Sequence, residues 1–284
     1  MKVVISVESS SDCPKDLAEQ YHLSIIPFTI IKGDKTFKDG EESLEELFAF
    51  VEESGKLPRT SAINCYEFET HFAKLLSEND AVVHVSMSHA CSSAYQNACA
   101  AAEKFPGKVY VVDSLVFHTG QLLLALYGAA LVKQGLSAQQ IAEKLQERAP
   151  SISTTATLEK VNYLYKGGRC NALALLGANL LRLRPEVELR SGEIKLAKKF
   201  RGNLRKWTGD YIEDRLSHVD KADKRLVFVS STSPMEEAVA LAKEKLLEAG
   251  FQEVIYVKAG ATIGTHTGPG TFSIEFFADG EHTW

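Results

Sequence analysis

The stretch GTHTGPGT, residues 264–271, sets one histidine among three threonines, three glycines and a proline, between apolar runs at 254–257 and 272–277. Gly-Pro-Gly makes a rigid turn between flexible points. A histidine fixed there can donate a hydrogen bond to a carboxylate or phosphate, and it titrates near neutrality. The plainer alternative is a surface histidine satisfied by solvent. Four more polar segments stand where strands should end: SVESSSDCP (6–14), PRTSAIN (58–64), VSMSHACSSAYQ (85–96) and VVDSLVFHTGQ (111–121). In open α/β sheets, ligands bind beyond the carboxyl ends of the strands. Hydroxyls and backbone N–H groups placed there suit an anion or a polar head group.

Within the third segment a helix should begin at Ser92 or Ser93. Serine at a helix start commonly caps its own N–H groups. The same place favours an anion, through the free N–H groups and the helix dipole. A sixth segment, YLYKGGRCN (163–171), follows a short helix and places Gly167 and Gly168 between Lys166 and Arg169. Glycine stopping a helix beside favourable charges explains it as well as a ligand does. Serine with histidine also raises a lipid-ester hydrolase, with Ser92 as nucleophile and His266 as base. That reading lacks a G-x-S-x-G elbow and an orienting acid. The eight histidines show no H-x-x-x-H or H-E-x-x-H spacing, so a metal centre is a poor explanation. G-x-G-x-x-G and P-loop patterns are missing, so no nucleotide cofactor is expected.

The rest of the chain must position these loops. Its 284 residues are comfortable for two domains. The formal charge of −5 and the lack of a long basic run argue against nucleic acid. No apolar run approaches the roughly 18–20 residues of a membrane span, so stable membrane insertion is not expected. The opening MKVVISV reads as a strand and not as a secretory leader. Five cysteines without regular spacing fit reduced thiols in a cytoplasm.

Apolar strands alternate with helical periodicity through the first half. KVVISV, LSIIPFTII, AVVHVS and KVYVVD read as strands. Helices are expected over 14–21, 43–54, 66–78, 92–105, 119–134 and 137–148, the second fixed by a Ser43/Glu46 capping box. This alternation argues for a mainly parallel sheet covered by helices on both faces. A change comes near Ala149-Pro150, so the domains are placed at 1–150 and 151–284. The second reads as a mixed sheet with helices. It has a strand at STTATL, a helix at ALALLGANLLRL, and a hairpin about Ser191-Gly192 of a kind the first half lacks. A helix over 204–219 and a strand at RLVFVSS follow. A helix capped by Ser233, Pro234 and Glu236 and stopped by Gly250 comes next, and two closing strands flank the GTHTGPGT loop.

Taken in order, ISVESSSDCP, RTSAIN, SSAYQNA, VVDS, YLYKGGR, SGEI with the later RG, and THTGPG resemble the motifs of the DegV family from end to end. These are bacterial fatty-acid-binding proteins that serve as the binding subunit of a fatty acid kinase. The resemblance implies two α/β domains with a long-chain fatty acid in an apolar tunnel between them. It implies carboxylate contacts at Thr60, Ser61, Ser92, Ser93 and His266. It places Lys166, Gly167, Gly168 and Arg169 near the head group or facing the kinase. It also implies a separate ATP-binding kinase subunit as partner, and no catalysis by this chain alone. The sequence departs from the family pattern at Glu8, where Asp is usual, and at Ser93 and Ala94, where Gly-Thr is usual. It also lacks Gln-Pro after Thr60-Ser61.

Overall fold

The computed structural model describes residues 1–171 and 183–280. The first half runs β1 (Val3–Glu8), α1 (Lys15–Gln20), β2 (Ser24–Ile26), β3 (Thr29–Lys32), β4 (Lys35–Lys38), α2 (Leu44–Ser54), β5 (Arg59–Ser61), α3 (Cys65–Leu76), β6 (Ala81–Ser86), α4 (Ala94–Ala102), β7 (Val109–Asp113), α5 (Thr119–Lys133) and α6 (Ala138–Arg148). The second runs β8 (Ile152–Thr157), α7 (Val161–Lys166), β9 (Leu183–Arg190), β10 (Glu193–Arg201), α8 (Leu204–Leu216), β11 (Leu226–Ser231), α9 (Glu236–Glu248), β12 (Glu253–Lys258), α10 (Ala261–Thr267) and β13 (Phe272–Phe277).

A parallel sheet of order β2-β1-β6-β7 forms the centre of the first half. Its strands are buried on both faces, which is why their sequences are continuous apolar runs rather than alternating ones. Val3, Ile5 and Val7 meet α5 and α6 on one face, while Val82 and Val109 meet Phe68 and Phe72 of α3 and the alanines of α4 on the other. Capping boxes fix the starts of α2 (Ser43/Glu46), α3 (Asn64/Glu67) and α6 (Ser137/Gln140). The second half holds a mixed six-stranded sheet, β10-β9-β8-β13-β11-β12. Its outer face packs Val229, Ile274 and Phe276 on Trp207 and Tyr211 of α8 and on α9. On its inner face Phe228 and Phe277 join the core of α5. Helix α5 is thus enclosed between two sheets, and its apolar residues run all the way round it.

Four expectations need correction. LSIIPFTII is two strands in different sheets, because Pro27 offers no N–H to a continuing ladder. The first half does contain a hairpin: β3 and β4 turn about Gly33-Asp34 and, with β5, make a small antiparallel sheet. Ser233 does not cap α9, which begins at Glu236 after Met235; the Ser233 hydroxyl accepts the Gly270 N–H instead. The first half of GTHTGPGT is not a loop, since Gly264 to Thr267 form the end of α10. The helix expected at ALALLGANLLRL falls on 172–183 and lies outside the described residues except at its last position.

Candidate functional site

Helix α10 presents Thr262, Ile263, His266 and Thr267 to a cavity of about 440 Å³. These positions are i, i+1, i+4 and i+5, one face of a helix. The opposite side approaches the first half closely. A Cβ at Gly264 would lie 2.1 Å from Leu44 Cδ2 of α2, so any larger residue would push α10 away. Ala261, and Ile263 at the border between this side and the cavity, complete the contact with Ile30 of β3 and Leu47.

The cavity gathers the expected residues from separate elements: Thr60 and Ser61 from β5, Ser92 and Ser93 before α4, and Arg169 after α7. Thr60 Oγ1 lies 2.8 Å from His266 Nε2. His266 Nδ1 and Thr262 Oγ1 are buried without a partner, which leaves polar groups waiting at the cavity. Ser92 Oγ accepts the Ala94 N–H at 3.2 Å, while Ser93 makes no side-chain cap. Both serines line the cavity at the start of α4, a place that favours an anion. Phe28, Met87, Phe117, Leu164 and Ile194 supply an apolar wall.

Lys166 and Gly167 line a neighbouring cavity of about 290 Å³, which also touches Thr60, His266 and Arg169. Arg59, Lys166 and Arg169 stand around it with no carboxylate among its lining residues. The Thr60–His266 pair and Arg169 thus stand between an inner cavity and a basic outer one. Arg169 donates to the Gly167 carbonyl. Gly167 must be small: a Cβ there would lie 2.9 Å from His266 Nδ1. Gly168 lines neither cavity. The structure gives no hydrogen bond between Ser92 and His266 among the described residues, so the nucleophile–base pair of the hydrolase alternative is not assembled.

Thr262 lies just before GTHTGPGT and joins the site only because the run is helical. Its i, i+4 relation to His266 was the available signal.

Burial, followed by the nearby Arg169 charge, pushes His266 down to about 4 from its ordinary 6.5. Its imidazole is neutral at pH 7 when no anion is bound. The unfolded chain binds the proton more readily over that interval, so this group's stabilisation is present above about 6.5 and is lost as pH falls towards 4. Between pH 7 and pH 5, the ligand-free wild type should lose about 2 kcal/mol more stability than His266→Gln. Urea unfolding at the two pH values measures this. Equal losses in the two proteins would contradict it.

The profile of the DegV family, described as an uncharacterised protein family, matches residues 2–279. A DegV domain-containing protein of Caldanaerobacter subterraneus subsp. tengcongensis is 29% identical over 280 residues, covering 97% of this chain and 98% of its own. A protein of Thermotoga maritima named fatty acid-binding protein is 29% identical over 286 residues, with 97% and 98% coverage. A solved DegV family protein from Thermus thermophilus, described by its fatty acid binding, superposes with a TM-score of 0.90 at 27% identity, covering 98% of this chain and all of that one. Among the described residues no helix is long and apolar enough to cross a membrane. With a match that spans all three sheets and every loop of the site, the chain belongs to the DegV family.

Proposed function

We propose that this protein binds a long-chain fatty acid in the inner cavity and presents its carboxylate, at the Thr60–His266 end, to a separate ATP-dependent kinase that forms an acyl phosphate. The supporting observation is one cavity that sets an apolar wall of Phe28, Met87, Phe117, Leu164 and Ile194 against polar residues that include Thr60, Ser92, Thr262 and His266. Its volume of about 440 Å³ falls in the roughly 300–1,000 Å³ of small-molecule sites. Each buried methylene contributes about 0.8 kcal/mol, so chain burial alone can supply tight binding. A neutral imidazole, hydroxyls and helix amides stabilise a carboxylate without needing a buried cation. The outer cavity, ringed by Arg59, Lys166 and Arg169, suits an incoming phosphoryl group and faces the kinase. The protein then contributes positioning and electrostatic help, and the kinase contributes the nucleotide.

The test is mass spectrometry of the organic extract of freshly purified protein, alongside the native mass of the intact chain. One equivalent of a long-chain fatty acid is expected. A native mass of the bare chain, with no uptake on incubation with fatty acid, would defeat the reading.

A further inference from the structure

A recess of about 20 Å³ opens beside the main cavity and shares Phe117, Leu164, Ile263 and Thr267 with it. Its floor is the inner face of the mixed sheet, where Thr154 pairs with Glu275 and Ser230 pairs with Ser273. Thr154 Oγ1 and Glu275 Oε1 are sealed from solvent without a hydrogen-bond partner. Their residues are only 4% and 1% exposed, and both line the recess. Polar atoms left unpaired in a dry site are costly, so they mark a missing partner.

The surrounding groups are already fixed. Thr119 Oγ1 donates to Glu275 Oε2 at 2.7 Å. Ser230 Oγ is bonded to Ser273 Oγ at 2.8 Å and also to His118 Nε2, and His118 Nδ1 lies 2.7 Å from Asp12 Oδ2. These bonds hold His118 at φ 60°, ψ −149°, a backbone conformation that side-chain-bearing residues rarely adopt. The Ser273 hydroxyl stands close enough to Glu275 to bond its carboxyl, whereas Thr154 Oγ1 is left without a partner.

The recess has room for about one water-sized group, and too little for a run of methylenes. A hydroxyl fits that space. It both donates and accepts, as the Thr154 hydroxyl and the Glu275 carboxyl require. Burial raises the Glu275 carboxyl above its ordinary range, which favours a neutral group able to pair with a neutral guest. The lining holds no lysine or arginine, so a second carboxylate would find no counter-charge there. A methyl branch would leave both orphan atoms unpaired.

We propose that this recess is a second recognition subsite, which takes the hydroxyl of a long-chain hydroxy fatty acid whose carboxylate sits at the Thr60–His266 end. The assignment rests on the fatty-acid reading above. A hydroxyl replacing a trapped water would reproduce that water's bonds and release it.

The experiment titrates delipidated protein with hexadecanoic acid and with hexadecanoic acids bearing one hydroxyl beside the carboxyl, at mid-chain positions, or at the terminal carbon. One positional isomer should bind about tenfold more tightly than the plain chain. Thr154→Val should bring that ratio to within about twofold of one, Thr154→Ser should restore it, and Glu275→Gln should reduce it. Near-UV circular dichroism of each variant checks that the fold is kept. If the plain chain binds wild type and no isomer binds better, or if the preference survives Thr154→Val and Glu275→Gln, the recess is a water site and the inference fails. If no chain binds, plain or hydroxylated, the fatty-acid reading itself fails and takes the subsite with it.

Discussion

A protein carrying both Thr60→Val and His266→Ala is expected to bind hexadecanoic acid on the order of a thousandfold more weakly than wild type. The two side chains are bonded to each other at 2.8 Å and stand among the polar residues that face the cavity's apolar wall. A carboxylate brought there loses its water, and hydrogen bonds to a charged group carry about 1.5–3 kcal/mol each. Removing both leaves Thr262 and the serine hydroxyls to hold it. Each single variant should fall short of half the double effect in free energy, because the remaining partner can reorient towards the ligand and the pair is coupled. Hexadecan-1-ol supplies the control. It keeps the chain and lacks the charge, so its affinity should fall much less. Calorimetric titration of delipidated proteins decides the matter. A double variant within threefold of wild type would remove this end of the cavity as the carboxylate site.

What the sequence made legible was the repeating chemistry. The strands at KVVISV, AVVHVS and KVYVVD are continuous apolar runs, and a parallel sheet covered on both faces requires them. The Ser43/Glu46 box marks the start of α2 through a purely local bond. The site residues Thr60, Ser92 and His266 drew notice because their hydroxyls and imidazole sit at strand and helix ends. What stayed hidden depends on partners far away in the chain. ATIGTHT has poor helix formers and two glycines near it, yet it is helical because its apolar side is clamped between Leu44 and Ile30. Ser233 has the right spacing for a cap, but Gly270 takes its hydroxyl. Pro27 divides LSIIPFTII into two strands although the residues on both sides of it are apolar. The polar floor at Thr154, Ser230, Ser273 and Glu275 could not be read locally. These residues come from three strands and meet only when the sheet is assembled.

The junction between the halves carries the other large effect. Arg148→Met should destabilise the protein by about 3–5 kcal/mol. Arg148 ends α6 and is 4% exposed. Its Nη2 donates to Asp223 at 2.7 Å and its Nε to Asp279 at 3.2 Å, while the guanidinium carbon sits 3.7 Å from the centre of the Phe277 ring. Methionine preserves most of the volume and the contact with the ring. It removes the guanidinium bonded to Asp223, which is 2% exposed and keeps the Arg225 N–H at 3.2 Å, and loss of that charge partner in a buried place is the dominant cost. Asp223→Asn added to Arg148→Met should recover a large part of the loss, because the stranded charge is then gone. Urea unfolding of the three proteins measures both steps. A loss below about 1 kcal/mol, or no recovery in the double variant, would show that the pair is not what holds this junction. The consequence for binding follows from position. Asp223 precedes β11 and Asp279 follows β13, the strands that carry Ser230, Ser273 and Glu275. Arg148 therefore ties the inner face of the mixed sheet to the helices that cover the parallel one. The cavity proposed to take the acyl chain is lined from both halves, so a ligand that binds only the assembled form should return stability to Arg148→Met: about 2.7 kcal/mol at a hundred times its dissociation constant.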